Sequence, residues 1–146
     1  MSPETLDTAA TITAMSITFS VEGEPVPQPR ARITTRGGFG RAYVETKHPI
    51  HAYRKAIQMA AVDAGLRPCT GTVEVVIDAV FCRPRSHMNK KGLKATAPIT
   101  PRADVDNLAK GVLDSIGPII GNDTQVKRLV IEKRYGTEAR TTVRVT

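Results

Sequence analysis

An α+β fold, one domain with a mixed β-sheet and two main helices, is expected from three observations. Alternating strand patterns open and close the chain, the longest β-branched run lies mid-chain, and two stretches with helical spacing stand between them. Length agrees with a single domain: 146 residues suffice for one hydrophobic core and are short for two.

Residues 1–14, MSPETLDTAATITA, are small and polar and read as a flexible N-terminal tail, which leaves 15–146 as the folded domain. Met15 to Val21 alternates with Ile17, Phe19 and Val21 on one face, the pattern of a first strand. In PVPQPRARITTRGG (25–38) three prolines impose an extended approach, after which Arg30, Arg32 and Thr34 alternate with Ala31 and Ile33. Gly37, Gly38 and Gly40 then supply a hairpin turn, with Arg41 to Glu45 returning; the cluster lacks the lysine ending of a phosphate loop. Residues 49–64 show helical spacing at Ile50, Tyr53, Ile57, Ala60 and Ala61, and Gly65 ends the run.

The central strand is expected at Thr72 to Cys82, TVEVVIDAVFC. A long loop, Arg83 to Ala103, follows, and a stretch of that length needs a function or disorder to explain it. The second helix is predicted over 105–116, with Val105, Leu108, Ala109, Val112, Leu113 and Ile116 on its apolar stripe and Gly117-Pro118 as its stop. Val126 to Tyr135 and Thr141 to Val145 read as a β-hairpin turned by GTEA.

With three Phe, three Tyr and no Trp, the core must be aliphatic, and base stacking on aromatic platforms is excluded as the main mode of nucleic-acid recognition. The balance of 21 Lys+Arg against 14 Asp+Glu, with a pI near 9.8, favours a polyanionic partner over a merely soluble basic face. Its distribution is sharper than its total. Between Pro25 and Val62 the one acid is Glu45, and between Ala79 and Ala103 there is none. The candidate DNA-binding residues are therefore Arg30, Arg32 and Arg36 in the first stretch, and Arg83, Arg85, Lys90, Lys91, Lys94 and Arg102 in the second.

Cys69 and Cys82 lack metal spacing and read as two small, buried or semi-buried thiols. His48 and His51 flank a helix start without acidic company, which favours capping over metal binding. No apolar run approaches a membrane span and no signal-peptide pattern opens the chain, so a cytoplasmic protein is expected.

Chemistry concentrates in RADVDNLAK (102–110) and GNDTQV (121–126). Asp106, Lys110 and Asp114 share a stripe of the second helix away from its apolar face, and Asp104 stands at the N-cap. If the Asp123 turn folds back toward the helix start, Asp104, Asp106 and Asp123 make an oxygen site for a hard divalent cation such as magnesium. In a basic chain that cation would offset repulsion between carboxylates and phosphate and activate water, with Lys110 near the scissile phosphate. Each residue also has an ordinary reading: Asp104 as a cap, Asp106 as a helix-dipole partner, Asp106–Lys110–Asp114 as surface ion pairs, Asp123 as a turn residue. Spacing alone leaves both readings open.

Four motifs in order resemble the RusA family of Holliday-junction resolvases: PVPQPRARITTRGG, RPRSH (83–87) with its basic loop, RADVDNLAKGVLDSI (102–116) as a D-x-D-N-x-x-K helix, and NDTQV (122–126). The resemblance spans about Pro25 to Glu132. It implies a magnesium-dependent endonuclease, for which manganese could substitute, acting as a homodimer on four-way DNA junctions and making paired symmetric nicks. It assigns metal binding and catalysis to Asp104, Asp106 and Asp123, and catalysis also to Lys110. It further implies a bacterial or phage-infected host cell. The chain departs from the pattern at Asn122, where a second acid is common, and at Ala103, where a proline is usual. A two-fold enzyme would present two equivalent sites to a two-fold junction. The alternatives are a nuclease preferring other branched or flap DNA, and a non-catalytic nucleic-acid-binding protein.

Overall fold

The computed structural model describes residues 16–35, 38 and 40–146. The expected tail, Met15, Arg36 and the Arg32 side chain lie outside the described residues. Elements run β1 (Ile17–Glu22), β2 (Arg32–Thr34), β3 (Arg41–Tyr43), α1 (Ile50–Asp63), β4 (Val73–Cys82), β5 (Met88–Asn89), β6 (Gly92–Leu93), α2 (Val105–Ile120), β7 (Val126–Gly136) and β8 (Arg140–Val145). The architecture is α+β, as the residue pattern indicates.

Four strands form one mixed sheet in the order β1-β8-β4-β7. β4 pairs antiparallel with β8 on one side and parallel with β7 on the other, and β8 pairs antiparallel with β1. Both helices cover one face. Ile50, Tyr53, Ile57 and Ala61 of α1 and Ala109, Val112, Ile116 and Ile120 of α2 bury against Ile17, Phe19, Val75, Ile77, Val143 and Val145 of the sheet. Tyr53 also carries its hydroxyl into this core, where it meets the Thr141 hydroxyl at 2.6 Å, so neither buried polar group is left unpaired.

The expected β7–β8 hairpin is not formed. Residues 137–139 instead carry the chain across the end of β4, and β8 pairs on its far side. The reason lies in β4, whose ten residues offer both edges and whose alternate side chains Val73, Val75, Ile77 and Ala79 are buried. A second strand there buries more β-branched surface than a two-stranded ribbon would.

α2 runs four residues past its expected stop and contains Pro118. Proline at that position cannot donate to the Asp114 carbonyl. Arg54 of α1 does so instead, its Nη2 donating to Asp114 O at 3.3 Å. The helix ends at Gly121, whose φ of 130° favours glycine; a Cβ there would also stand 2.6 Å from Gln125 Oε1 and displace that side chain. Val105, expected on the apolar stripe, is 38% exposed.

Candidate active site

β4, α2 and β7 form a parallel crossover, so the N-terminus of α2 sits at the edge where β4 and β7 end, the usual edge for sites in such units. Asp104 occupies the N-cap with extended backbone (φ −71°, ψ 133°), yet its carboxylate caps nothing. The contrast is with Asn122, which caps the following turn by accepting from Thr124 N at 3.0 Å. Capping therefore does not account for Asp104. Asp106 and Lys110 are exposed and unpaired with each other, and the ion pairs among described residues are Arg128–Glu74 and Arg134–Asp78. The ion-pair reading of the Asp106–Lys110–Asp114 stripe fails on that ground.

The segment of prolines docks beside this helix end. Gln28 is flanked by prolines that have no N–H, and its own N–H donates to Asn107 O at 2.9 Å. Farther along, the backbone of Val26 and Gln28 runs close over Gly111, where a Cβ would meet Val26 O at 3.4 Å. A cavity of about 570 Å3 opens between Pro25–Arg30, His48, Pro49, Arg102, Ala103, Asp104 and Asn107. Its wall joins two candidate phosphate-binding side chains, Arg30 and Arg102, to one candidate ligand, Asp104. His48 acts as a cap, Nδ1 accepting from Ile50 N at 3.0 Å, and His51 Nε2 hydrogen-bonds Glu45 O at 2.9 Å.

Asp123 does not fold back to the helix start. It packs at the opposite end of α2, where a Cβ on Gly117 would lie 3.4 Å from Asp123 Cβ. Eleven residues separate Asp106 from Gly117, about 16 Å of helix. Among the described residues no three His, Cys, Asp or Glu gather as a metal cluster. One chain thus brings Asp104, Asp106 and Lys110 to one end and leaves Asp123 at the other.

The 83–103 loop is largely organised. Arg83, expected on DNA, is half-buried: Nη1 donates to Pro98 O at 2.8 Å and the guanidinium lies 4.2 Å over the Tyr135 ring. His87 meets the same ring edge-on at 5.6 Å. Arg85, Lys90, Lys91, Lys94 and Arg102 are exposed. Lys133, absent from the expected set, donates from Nζ to Pro101 O and Ala103 O, each at 2.8 Å. It clamps the backbone that leads into Asp104. Alternation in β7 carried a signal for it, since Lys133 falls on the same face as Ile131 and Tyr135.

Among the described residues no helix is long and apolar enough to cross a membrane. Residues 22–146 match the family model described as Endodeoxyribonuclease RusA. A Bacillus subtilis (strain 168) protein named "Uncharacterized protein YqaN" is 33% identical over 138 residues, covering 88% of this chain and 94% of that protein. With 22–146 matched and the D-x-D-N-x-x-K segment placed at the edge of the parallel strands, the chain belongs to the RusA endodeoxyribonuclease family.

Proposed function

We propose that this chain is a cytoplasmic, magnesium-dependent endonuclease that resolves four-way DNA junctions as a homodimer by paired nicks. The observation that carries the reading is the pair Asp104 and Asp106, exposed at the start of α2 with no ion-pair or capping partner among the described residues, with Asp104 lining a cavity shared with Arg30 and Arg102. Two free carboxylates supply hard oxygen donors of the kind magnesium takes alongside water and phosphate oxygens. When bound, the ion supplies Lewis acidity and offsets the repulsion between these carboxylates and the DNA backbone. Arg30 and Arg102 hold the phosphodiester by charge, and Lys110, one turn beyond Asp106, meets the scissile phosphate. Arg85, Lys90, Lys91 and Lys94 extend the cationic surface for the arms.

The third carboxylate follows from the geometry of α2. Asp123 cannot join Asp104 and Asp106 within one chain while α2 stays helical, so the proposed ligand set takes Asp123 from a second copy. A two-fold dimer then contains two equivalent composite sites, which suits two symmetric cuts.

Incubation with a labelled four-way junction and a matched linear duplex, in magnesium, manganese or EDTA, tests the reading. Symmetric nicks confined to the junction and abolished by EDTA are expected. Junction binding without cleavage under either metal would leave a non-catalytic binding protein, and preferential cutting of flaps would move the substrate class.

A further inference from the structure

β5 and β6 make a two-residue hairpin in which Met88 pairs with Leu93 and Asn89 with Gly92. Lys90 and Lys91 occupy its tip, where Lys91 N donates to Asn89 Oδ1 at 2.9 Å and Gly92 takes a φ of 113° that other residues rarely adopt. Cross-strand partners share a face, so Met88 and Leu93 form one apolar patch. That patch is open to solvent: Met88 is 46% and Leu93 52% exposed. The root, by contrast, is held firmly. Lys94 N donates to His87 O at 2.9 Å, His87 leans on Tyr135, and Arg83 ties Tyr135 to Pro98 O.

An exposed apolar pair on a braced, acid-free arm with Lys90, Lys91 and Lys94 around it has two classes of occupant. A second copy would bring the same lysines against these, so like charge opposes it. A nucleic acid offers phosphates for the ammonium groups and apolar base faces for the side chains. Base faces are accessible where stacking is interrupted, as at a branch point.

We propose that the β5–β6 hairpin probes the branch, placing Met88 and Leu93 on bases unstacked at the crossover and Lys90 and Lys91 on flanking phosphates. This rests on the branched-DNA reading above. The test uses four-way junctions carrying 2-aminopurine either at the crossover or in mid-arm, titrated with full-length protein in EDTA. Wild-type protein is expected to raise emission at the crossover alone. The Met88→Ser, Leu93→Ser double variant should still bind, with its salt dependence intact, but lose that rise; Leu93→Ser alone serves if the double variant does not fold. Lys90→Ala with Lys91→Ala should reduce the slope of log K against log salt by about 1.8, from roughly 0.9 per phosphate contact. Full retention of the rise in the serine variants overturns the proposal, as does their sedimentation as monomers, which would make the patch a contact between copies. Junction cleavage by wild-type protein with no 2-aminopurine response overturns the probe and leaves the endonuclease reading standing. Failure to bind or cut junctions removes both.

Discussion

Mixing two variants each expected to be inactive alone, Asp106→Asn and Asp123→Asn, separates a composite site from one built within a single chain. The magnitude comes from α2. Two carboxylates on one magnesium stand within about 4 Å of each other, given oxygen contacts of about 2.1 Å. Along α2 the two ends are about 16 Å apart, and unwinding the helix would expose Val112 and Ile116, which are 1% and 0% exposed. In a composite dimer, a mixed pair pools both lesions in one site and leaves the other site whole. Random exchange of equal amounts makes about half of the dimers mixed, so about a quarter of the wild-type sites are intact. The assay is nicking of a labelled junction by the re-equilibrated mixture, with differently tagged copies confirming mixed dimers. Single nicks at about a quarter of the wild-type initial rate are expected, with few paired cuts because each mixed dimer holds one working site. Mixed dimers that bind the junction and nick no strand would refute the composite site. Full activity of Asp123→Asn alone would remove Asp123 from the ligand set.

Three further predictions follow from named contacts. Lys133→Met frees the Pro101–Ala103 backbone and should raise the half-saturating magnesium concentration about ten-fold or more, the usual cost of losing a group that orients a ligand; Lys133→Arg should recover part of it, and an unchanged metal titration would show that the clamp does not act on Asp104. Arg54→Ala leaves Asp114 O without a donor and should cost about 1 kcal/mol, roughly 3 °C in thermal midpoint; in a Pro118→Ala background, which returns an N–H, the same change should cost less, as a double-mutant cycle by thermal melts would show. Burial lifts the Tyr53 hydroxyl above its ordinary 10.0, with its bonds to Thr141 and Val26 opposing. The unfolded chain therefore loses this proton first, and stability present below pH 10.0 should fall as pH rises beyond it. Tyr53→Phe should flatten that alkaline loss in chemical denaturation, and an unchanged slope would refute the assignment.

What could be read from residue patterns was local. Ile50, Tyr53, Ile57 and Ala61 face the core as their spacing requires, and β4 is central because its composition allows little else. Pairing between distant strands was not legible. Residues 136–139 look like a hairpin turn, yet Gly136 ends β7 and residues 137–139 serve equally well to cross the end of β4; the outcome depends on what β4 offers, which lies far away in sequence. Pro118 misled for a related reason. It stops a helix only if the carbonyl it abandons has no other donor, and Arg54 comes from another helix. At the site, the D-x-D spacing offered Asp104 and Asp106 as candidates without deciding between ordinary and functional readings, while the position of Asp123 depended on the length of α2 and hence on Pro118 being accommodated.

These misreadings bear on the chemistry together. Had α2 stopped at Ile116, the Asp123 turn would have begun one helical turn earlier, still remote from Asp104. Running on to Ile120 fixes it farther away, and the capped turn at Asn122, with Gln125 Nε2 donating to Cys69 O at 2.7 Å and to Gly71 O at 2.9 Å, holds it there. The Asp123 turn is thus a built feature with an exposed carboxylate that pairs with no cation among the described residues. At the other end of α2, Lys133 and the Arg83–Tyr135 contact hold the Asp104 loop just as firmly. Two braced half-sites at opposite ends of one rigid helix leave each copy unable to complete a three-carboxylate centre alone. Under the proposed three-carboxylate ligand set, pairing of two copies would be a condition for cutting, and an isolated copy bound to DNA would be expected to leave no unmatched nick.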